Sequence, residues 1–310
     1  MLSFIVRRLL QAIPVFAGIV LICFVLLKLS GDPVNLLVSP RASEMERQKK
    51  REQLGIDRPW YIQLARYFKG DLGKSYRHDR PVRDMILEGA AVTGRLALGA
   101  MTVAVALGLC AGLLSANKPH SLVDYASAAA SSVGVSIPAF WLAMLLVLVF
   151  SVKLQWLPLP RPAIGGLQYF VIPVITLGLI YTSLIARLTR GCLLEALSQD
   201  YIRTARAKGL GRAQVLLGHA FPNALVPVVT VIGTEFAGLL TGAVLTETAC
   251  ALPGLGRVVF QAIMERDHPV IIGGCLFFAV VFVSANLAVD MLYGFMDPRI
   301  RPGETADERR

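Results

Sequence analysis

Charge is scarce in this sequence. Only 17% of its 310 residues are Asp, Glu, Lys or Arg, while 55% are hydrophobic; soluble domains carry about 25% charged residues. The shortage falls in blocks of roughly twenty residues almost without charge, a pattern of membrane spans and not of one large soluble core. Cysteines are few and scattered: Cys23, Cys110, Cys192, Cys250 and Cys275 form no CxxC pair. They are read as small packing residues, with no metal site and no disulfide framework. HExxH, serine-elbow and paired-carboxylate patterns are also missing, which argues against a membrane enzyme.

What charge exists is lopsided, with a net +10. A nucleic-acid surface would need a clustered basic stripe on a soluble fold. Here Lys and Arg lie between the apolar blocks, where control of membrane topology accounts for them, so no nucleic-acid partner is expected.

A bilayer crossing takes about twenty helical residues. Six blocks qualify, near 9–29, 96–116, 133–153, 171–189, 225–247 and 271–294. The first follows Arg7-Arg8 but is too long for a secretory h-region and lacks a small-x-small cleavage site, so it reads as a retained helix. Six spans place both termini on one side. Arg7, Arg8, Lys118, the basic residues within 187–222 and Arg299, Arg301, Arg309 and Arg310 share that side; Lys153, Arg161, Arg257 and Arg266 occupy the short loops opposite. Lys/Arg enrichment marks the cytoplasm. The segment 31–92, with twelve Lys/Arg against nine Asp/Glu, then lies outside; at that length mixed charge no longer governs translocation.

Within it, Ser43 to Gln53 reads as a solvated helix ending at Gly55, and Trp60 to Phe68 as an amphipathic surface helix. Gly70-Asp71-Leu72-Gly73-Lys74-Ser75 ends like a phosphate-binding loop, but Phe68 stands where that motif needs its first glycine, and no strand precedes it. It reads as a turn, and the chain has no nucleotide site or other cofactor of its own.

The loop between the fourth and fifth spans carries the most information. Asp200-Tyr201-Ile202-Arg203-Thr204-Ala205-Arg206-Ala207-Lys208 favours helix, Gly209 and Gly211 stop it, and a second short helix can run to Pro222. Two short helices joined at a glycine bend make a rigid knob. The stretch resembles the coupling-loop signature of ABC importer permeases, E-A-A-x3-G-x9-I-x-L-P. The matching positions are Arg203, Thr204, Ala205, Gly209, His219, Phe221 and Pro222, with Arg203 and His219 replacing the signature Glu and Ile. The variant here is similar to the dipeptide/oligopeptide/nickel branch. So are Gly31-Asp32-Pro33, Gln53-Leu54-Gly55, Ser136-Ile137-Pro138, Trp156-Leu157-Pro158, Thr246-Glu247, Pro253-Gly254-Leu255-Gly256-Arg257, Arg266-Asp267-His268-Pro269 and Asp297-Pro298-Arg299.

The resemblance implies an all-α polytopic protein of the bacterial inner membrane, both termini cytoplasmic. Its parts would be an N-terminal helix (1–30), an extracytoplasmic segment (31–92), a five-helix permease core (93–297) holding the coupling loop 190–222, and a cytoplasmic tail (298–310). It implies a second, non-identical permease subunit, two ATP-binding subunits carrying ATP and Mg, an extracytoplasmic solute-binding protein and surrounding lipid. The solute expected is a dipeptide or oligopeptide, with nickel, metal chelates and glutathione as the alternatives within the branch. An ion-coupled secondary transporter is the rival class; it would show internal repeats and broken spans with charged midplane residues, and no repeat is visible.

Few polar residues interrupt the spans. Glu235 either lines the pathway or makes a structural hydrogen bond; with Gly238, Gly242 and Thr246 on its helical face it defines the candidate lining. The two glycines fit close helix packing better than ligand contact. Asp290 and Asn286 share a face of the sixth span, and Asp290 is expected to pair with Arg187 or Arg190.

Overall fold

The computed structural model describes residues 70–161 and 166–296, and before them residues 10, 13–19, 21, 22, 25, 34–38, 43–54 and 62. About half of the expected span at 9–29 is described, and those residues are helical; Gly31-Asp32-Pro33, most of Trp60 to Phe68 and the tail 298–310 fall outside this set.

The fold is all-α. In chain order the helices are α1 (Val34–Leu37), α2 (Glu44–Leu54), α3 (Val82–Asn117), α4 (Leu122–Ser136), α5 (Ala139–Leu146), α6 (Val171–Ser198), α7 (Asp200–Ala207), α8 (Arg212–Val215), α9 (Phe221–Gly242), α10 (Val244–Ala249), α11 (Leu255–Glu265) and α12 (His268–Met296). The solvated helix expected from Ser43 is α2. A reciprocal cap starts it: Ser43 N–H donates to Glu46 Oε2 at 2.9 Å and Glu46 N–H to Ser43 Oγ at 3.3 Å.

Four helices among the described residues are long and apolar enough to cross a bilayer, or five if one bent pair counts as a single span. That pair corrects the span expected at 133–153. Pro138 forces its predecessor out of helical geometry, Ile137 lies at φ −88° and ψ 124°, and α4 ends at Ser136. The chain restarts as α5, which widens into a π-helical segment (Val147–Lys153), and the two halves meet at 101°. The helix that holds the first core span starts well before the apolar block expected at 96–116. The 36 residues of α3 start at Val82, so the boundary drawn at 92–93 falls inside a helix.

The most extensive helix pair is α3 against α6. Small residues let their backbones approach. A methyl group at Gly112 would stand 2.6 Å from Thr189 Cβ, one at Gly108 2.8 Å from Ile185 Cβ, and one at Gly178 2.9 Å from Val103 Cγ1. The core around this seam takes Leu96 and Ala100 from α3, Leu177 and Ile185 from α6, and Val228 and Leu239 from α9. Leu98, Leu114, Val280 and Phe282 point outward and stay exposed, as lipid-facing residues would. Gly238 was expected to serve such close packing; among the described residues a methyl there would meet no atom within 4 Å.

Candidate functional site

Three polar constellations stand out from this apolar scaffold. The first is the knob. Ile202 and Ala205, one turn apart on α7, are buried against Ala116 of α3, Leu193 of α6 and Leu216, while Tyr201, Arg203, Thr204, Arg206 and Lys208 face out. Asp200 lies in the first turn and Arg206 in the last, each complementing the helix dipole. Gly209 closes the helix at φ 81°. Its N–H donates to Arg206 O at 2.9 Å and that of Leu210 to Ala205 O at 3.4 Å, a complete Schellman pair. Leu210 and Ala205 join one apolar cluster, the contact that usually accompanies this cap.

The expected bend is therefore present, but the second helix does not stop at Pro222. α8 runs through a π turn (Leu216–Ala220) directly into α9, so Arg212–Thr241 is one 30-residue helix. The π turn shifts the hydrogen-bond register just ahead of Pro222, which brings no N–H of its own. Asn223 Nδ2 donates to His219 O at 2.9 Å and to Tyr201 Oη at 3.2 Å, tying the first turn of α9 back to α7. His219 Nδ1 is buried without a hydrogen-bond partner among the described residues.

Beside the knob lies a charge clamp that sequence reasoning missed. Arg190 on α6 holds Asp124 of α4 bidentately, Nε to Oδ1 at 2.6 Å and Nη2 to Oδ2 at 2.8 Å. Asp124 also accepts from Ser115 Oγ and, at 2.9 Å, from His120 N. The knob touches the same corner, because the Arg212 guanidinium donates to Asn117 O at the end of α3. A cleft of about 640 Å³ opens between knob and corner, lined by Asn117, Pro119, Leu197, Arg206, Leu210 and Arg212 among others. Both arginines expected as partners of Asp290 have contacts elsewhere. Arg190 is committed to Asp124, and Arg187 donates to Ser131 O at 3.1 Å. The Asp290 side chain lies outside the described residues, and Asn286 bonds back to Phe282 O on its own helix. A lone acid opening an apolar stretch was the one available signal for Asp124.

The third constellation is a knot at the far end of the helices. Glu247, fully buried on α10, accepts from Thr93 Oγ1 at 2.6 Å and from Arg257 N at 3.0 Å. Thr93 Oγ1 in turn accepts from Leu255 N at 2.9 Å. The carboxylate thus sits over the N-terminus of α11, where free N–H groups and the helix dipole favour negative charge. Glycine is needed beneath it: a methyl at Gly254 would lie 2.2 Å from Glu247 Cδ. Past the other end of α11, Asp267 is buried and accepts from Ser75 Oγ and from Tyr76 N at 3.0 Å, pinning the 70–81 turn. Gly70 and Gly73 of that turn adopt positive φ, as a turn reading requires. Burial in the apolar core pushes the Cys250 thiol up to about 12, which suits a packing residue.

Of the candidate lining, Glu235 is half-buried on α9 within electrostatic reach of Tyr181 on α6. The expected stripe does not continue to Thr246. α9 ends at Gly242, and Thr246 sits buried on the separate helix α10.

Residues 108–302 match the family described as binding-protein-dependent transport system inner membrane component. The chain is 40% identical to the dipeptide transport system permease protein DppB of Alkalihalophilus pseudofirmus, covering 97% of this chain and 100% of that one. It is 39% identical to the di/tripeptide permease DppB of Pseudomonas aeruginosa and 38% identical to the dipeptide permease DppB of Escherichia coli, over 97% of this chain and 99% of each relative. Among solved structures, the inward-facing MetNI methionine ABC transporter gives a TM-score of 0.55 at 19% identity, covering 70% of this chain and 98% of that one. An amino acid ABC transporter solved with histidines gives 0.53 at 18%, covering 70% and 95%. These two show a shared fold.

Proposed function

The chain belongs to the family of binding-protein-dependent transport system inner membrane components, and we propose that it forms one half of the translocation pathway of an ATP-driven importer of di- and oligopeptides. The observation that carries this reading is the knob. A row of outward polar side chains, Tyr201, Arg203, Thr204, Arg206 and Lys208, stands on a helix whose other face is buried against α3 and α6. Such a knob is a handle: force applied to it reaches the spans. The peptide solute is supported by the names carried by relatives that align end to end with this chain. A second permease subunit completes the pathway, two ATP-binding subunits grip the knobs with ATP and Mg, and an extracytoplasmic binding protein delivers the solute. Closure of the ATPases pushes on α7 and turns the pathway outward; hydrolysis resets it. In proteoliposomes holding the full complex, ATP-dependent uptake of radiolabelled glycyl-leucine that stops when the binding protein is omitted is the expected result. Uptake that persists without ATP and collapses with the proton gradient would instead indicate a secondary transporter.

The proposal fixes an orientation, with both termini and the 190–222 loop cytoplasmic and residues 31–92 outside. Ser43 and Ser198 are both exposed. Single cysteines at these positions in a cysteine-free background should label oppositely in intact spheroplasts treated with an impermeant maleimide. Labelling at 198 and not at 43 would invert the topology.

A further inference from the structure

Resting on the peptide reading, we propose that Glu235 is the intramembrane site that receives the protonated amine of the solute. Glu235 lies about two turns inside the outer end of α9, where a carboxylate is costly unless it faces water or a cation. Among the described residues it has neither a hydrogen bond nor an ion pair. The cations on the facing helix α6 are spoken for, Arg187 by Ser131 O and Arg190 by Asp124. Its own surroundings are open: Thr234 is exposed, and the next turn carries Gly238, around which no atom would meet a methyl group within 4 Å.

A second observation places a break in the fold at the same level. Glu235 lies within electrostatic reach of Tyr181 on α6, which joins Phe236 of α9 in one apolar cluster, and two residues further along α6 Ser183 abuts Gly134, just ahead of the interruption at Ile137-Pro138. Interrupted helices at membrane depth are tolerated where the freed backbone lines a water-filled cavity or is buried in protein. An unpaired carboxylate and a broken span thus flank one stretch of α6. The geometry favours an ammonium over a metal ion, because no group of three His, Cys, Asp or Glu side chains exists among the described residues to complete a coordination shell.

The test uses the reconstituted complex and radiolabelled glycyl-leucine, comparing Glu235→Gln, which keeps shape and hydrogen bonding, with Glu235→Asp, which keeps charge. Uptake per ATP hydrolysed should fall about tenfold or more in Glu235→Gln, the loss expected for one charge-assisted contact. Glu235→Asp should keep most of it, and hydrolysis stimulated by the loaded binding protein should stay near wild type in both. Wild-type uptake by Glu235→Gln overturns the assignment. So does loss of the second permease subunit on purification of that variant, which would make the subunit contact the partner of this carboxylate. A wild-type complex that moves no dipeptide overturns the peptide reading, and this inference with it.

Discussion

Valine at position 209 should leave the complex assembled in the membrane and reduce hydrolysis stimulated by the binding protein to its uncoupled level. Gly209 lies at φ 81° with open space around it, so the penalty is conformational and not a collision. An ordinary L residue in that region costs about 1–2 kcal/mol, and a branched one more. Relief comes by giving up the two closing bonds from Gly209 N and Leu210 N, which frees Leu210 from Ala205 and lets α7 drift off its apolar seat. The spans do not involve this residue, so expression and subunit association should survive. Asparagine tolerates the left-handed region and should retain coupling, whereas Arg206→Glu changes an exposed charge worth about 1 kcal/mol or less. Reconstituted vesicles measure all three. Full stimulation and transport with valine would reduce the loop to a passive connector.

Glu247→Ala should destabilise the protein by about 2 kcal/mol or more, because it strands the buried Thr93 O–H and the part-buried Arg257 N–H, an unpaired buried donor costing about 1–3 kcal/mol. It also leaves a void above Gly254. Thermal unfolding of the purified complex should shift down, and proteolysis should reach α10 and α11 first. Gly254→Ala supplies a cross-check. Alone it drives a methyl into the carboxylate; in the Glu247→Ala background that collision is gone, so the two losses should be strongly non-additive. Additive losses would show that Glu247 does not lie over the helix start.

These two sites differ in how far they could be read from the residues alone. The bend at Gly209 is local: a helix-favouring run, a glycine and a following apolar residue are contiguous, and so is the Ser43–Glu46 cap. The break after Ser136 was equally local in its cause, Ile137 before Pro138, yet hydropathy measures only apolar length and passes over it. Glu247 and Asp124 were beyond local reasoning, since Glu247 meets Thr93 and Asp124 meets Arg190 from distant parts of the chain. The close α3–α6 contact had a local trace in Gly108 and Gly112, four residues apart, which went unread beside the more conspicuous Gly238 and Gly242. Thr246 was misplaced for a related reason: a helical face was extended through Ala243, where the helix ends.

The α3–α6 seam also says where the molecule can give. With Thr189, Ile185 and Val174 seated in the notches left by Gly112, Gly108 and Gly99, sliding one helix past the other would drive branched side chains over backbone ridges. These two helices therefore behave as a single stiff plate. Compliance must sit at the joints: the angle after Ser136, the π turn before Phe221 and the gap at Ala243. Of the long helices, α9 has such a joint at both ends, one beside the knob and one beside the Glu247 knot. Pivoting of α9 at those joints against a fixed plate would carry Glu235 with it.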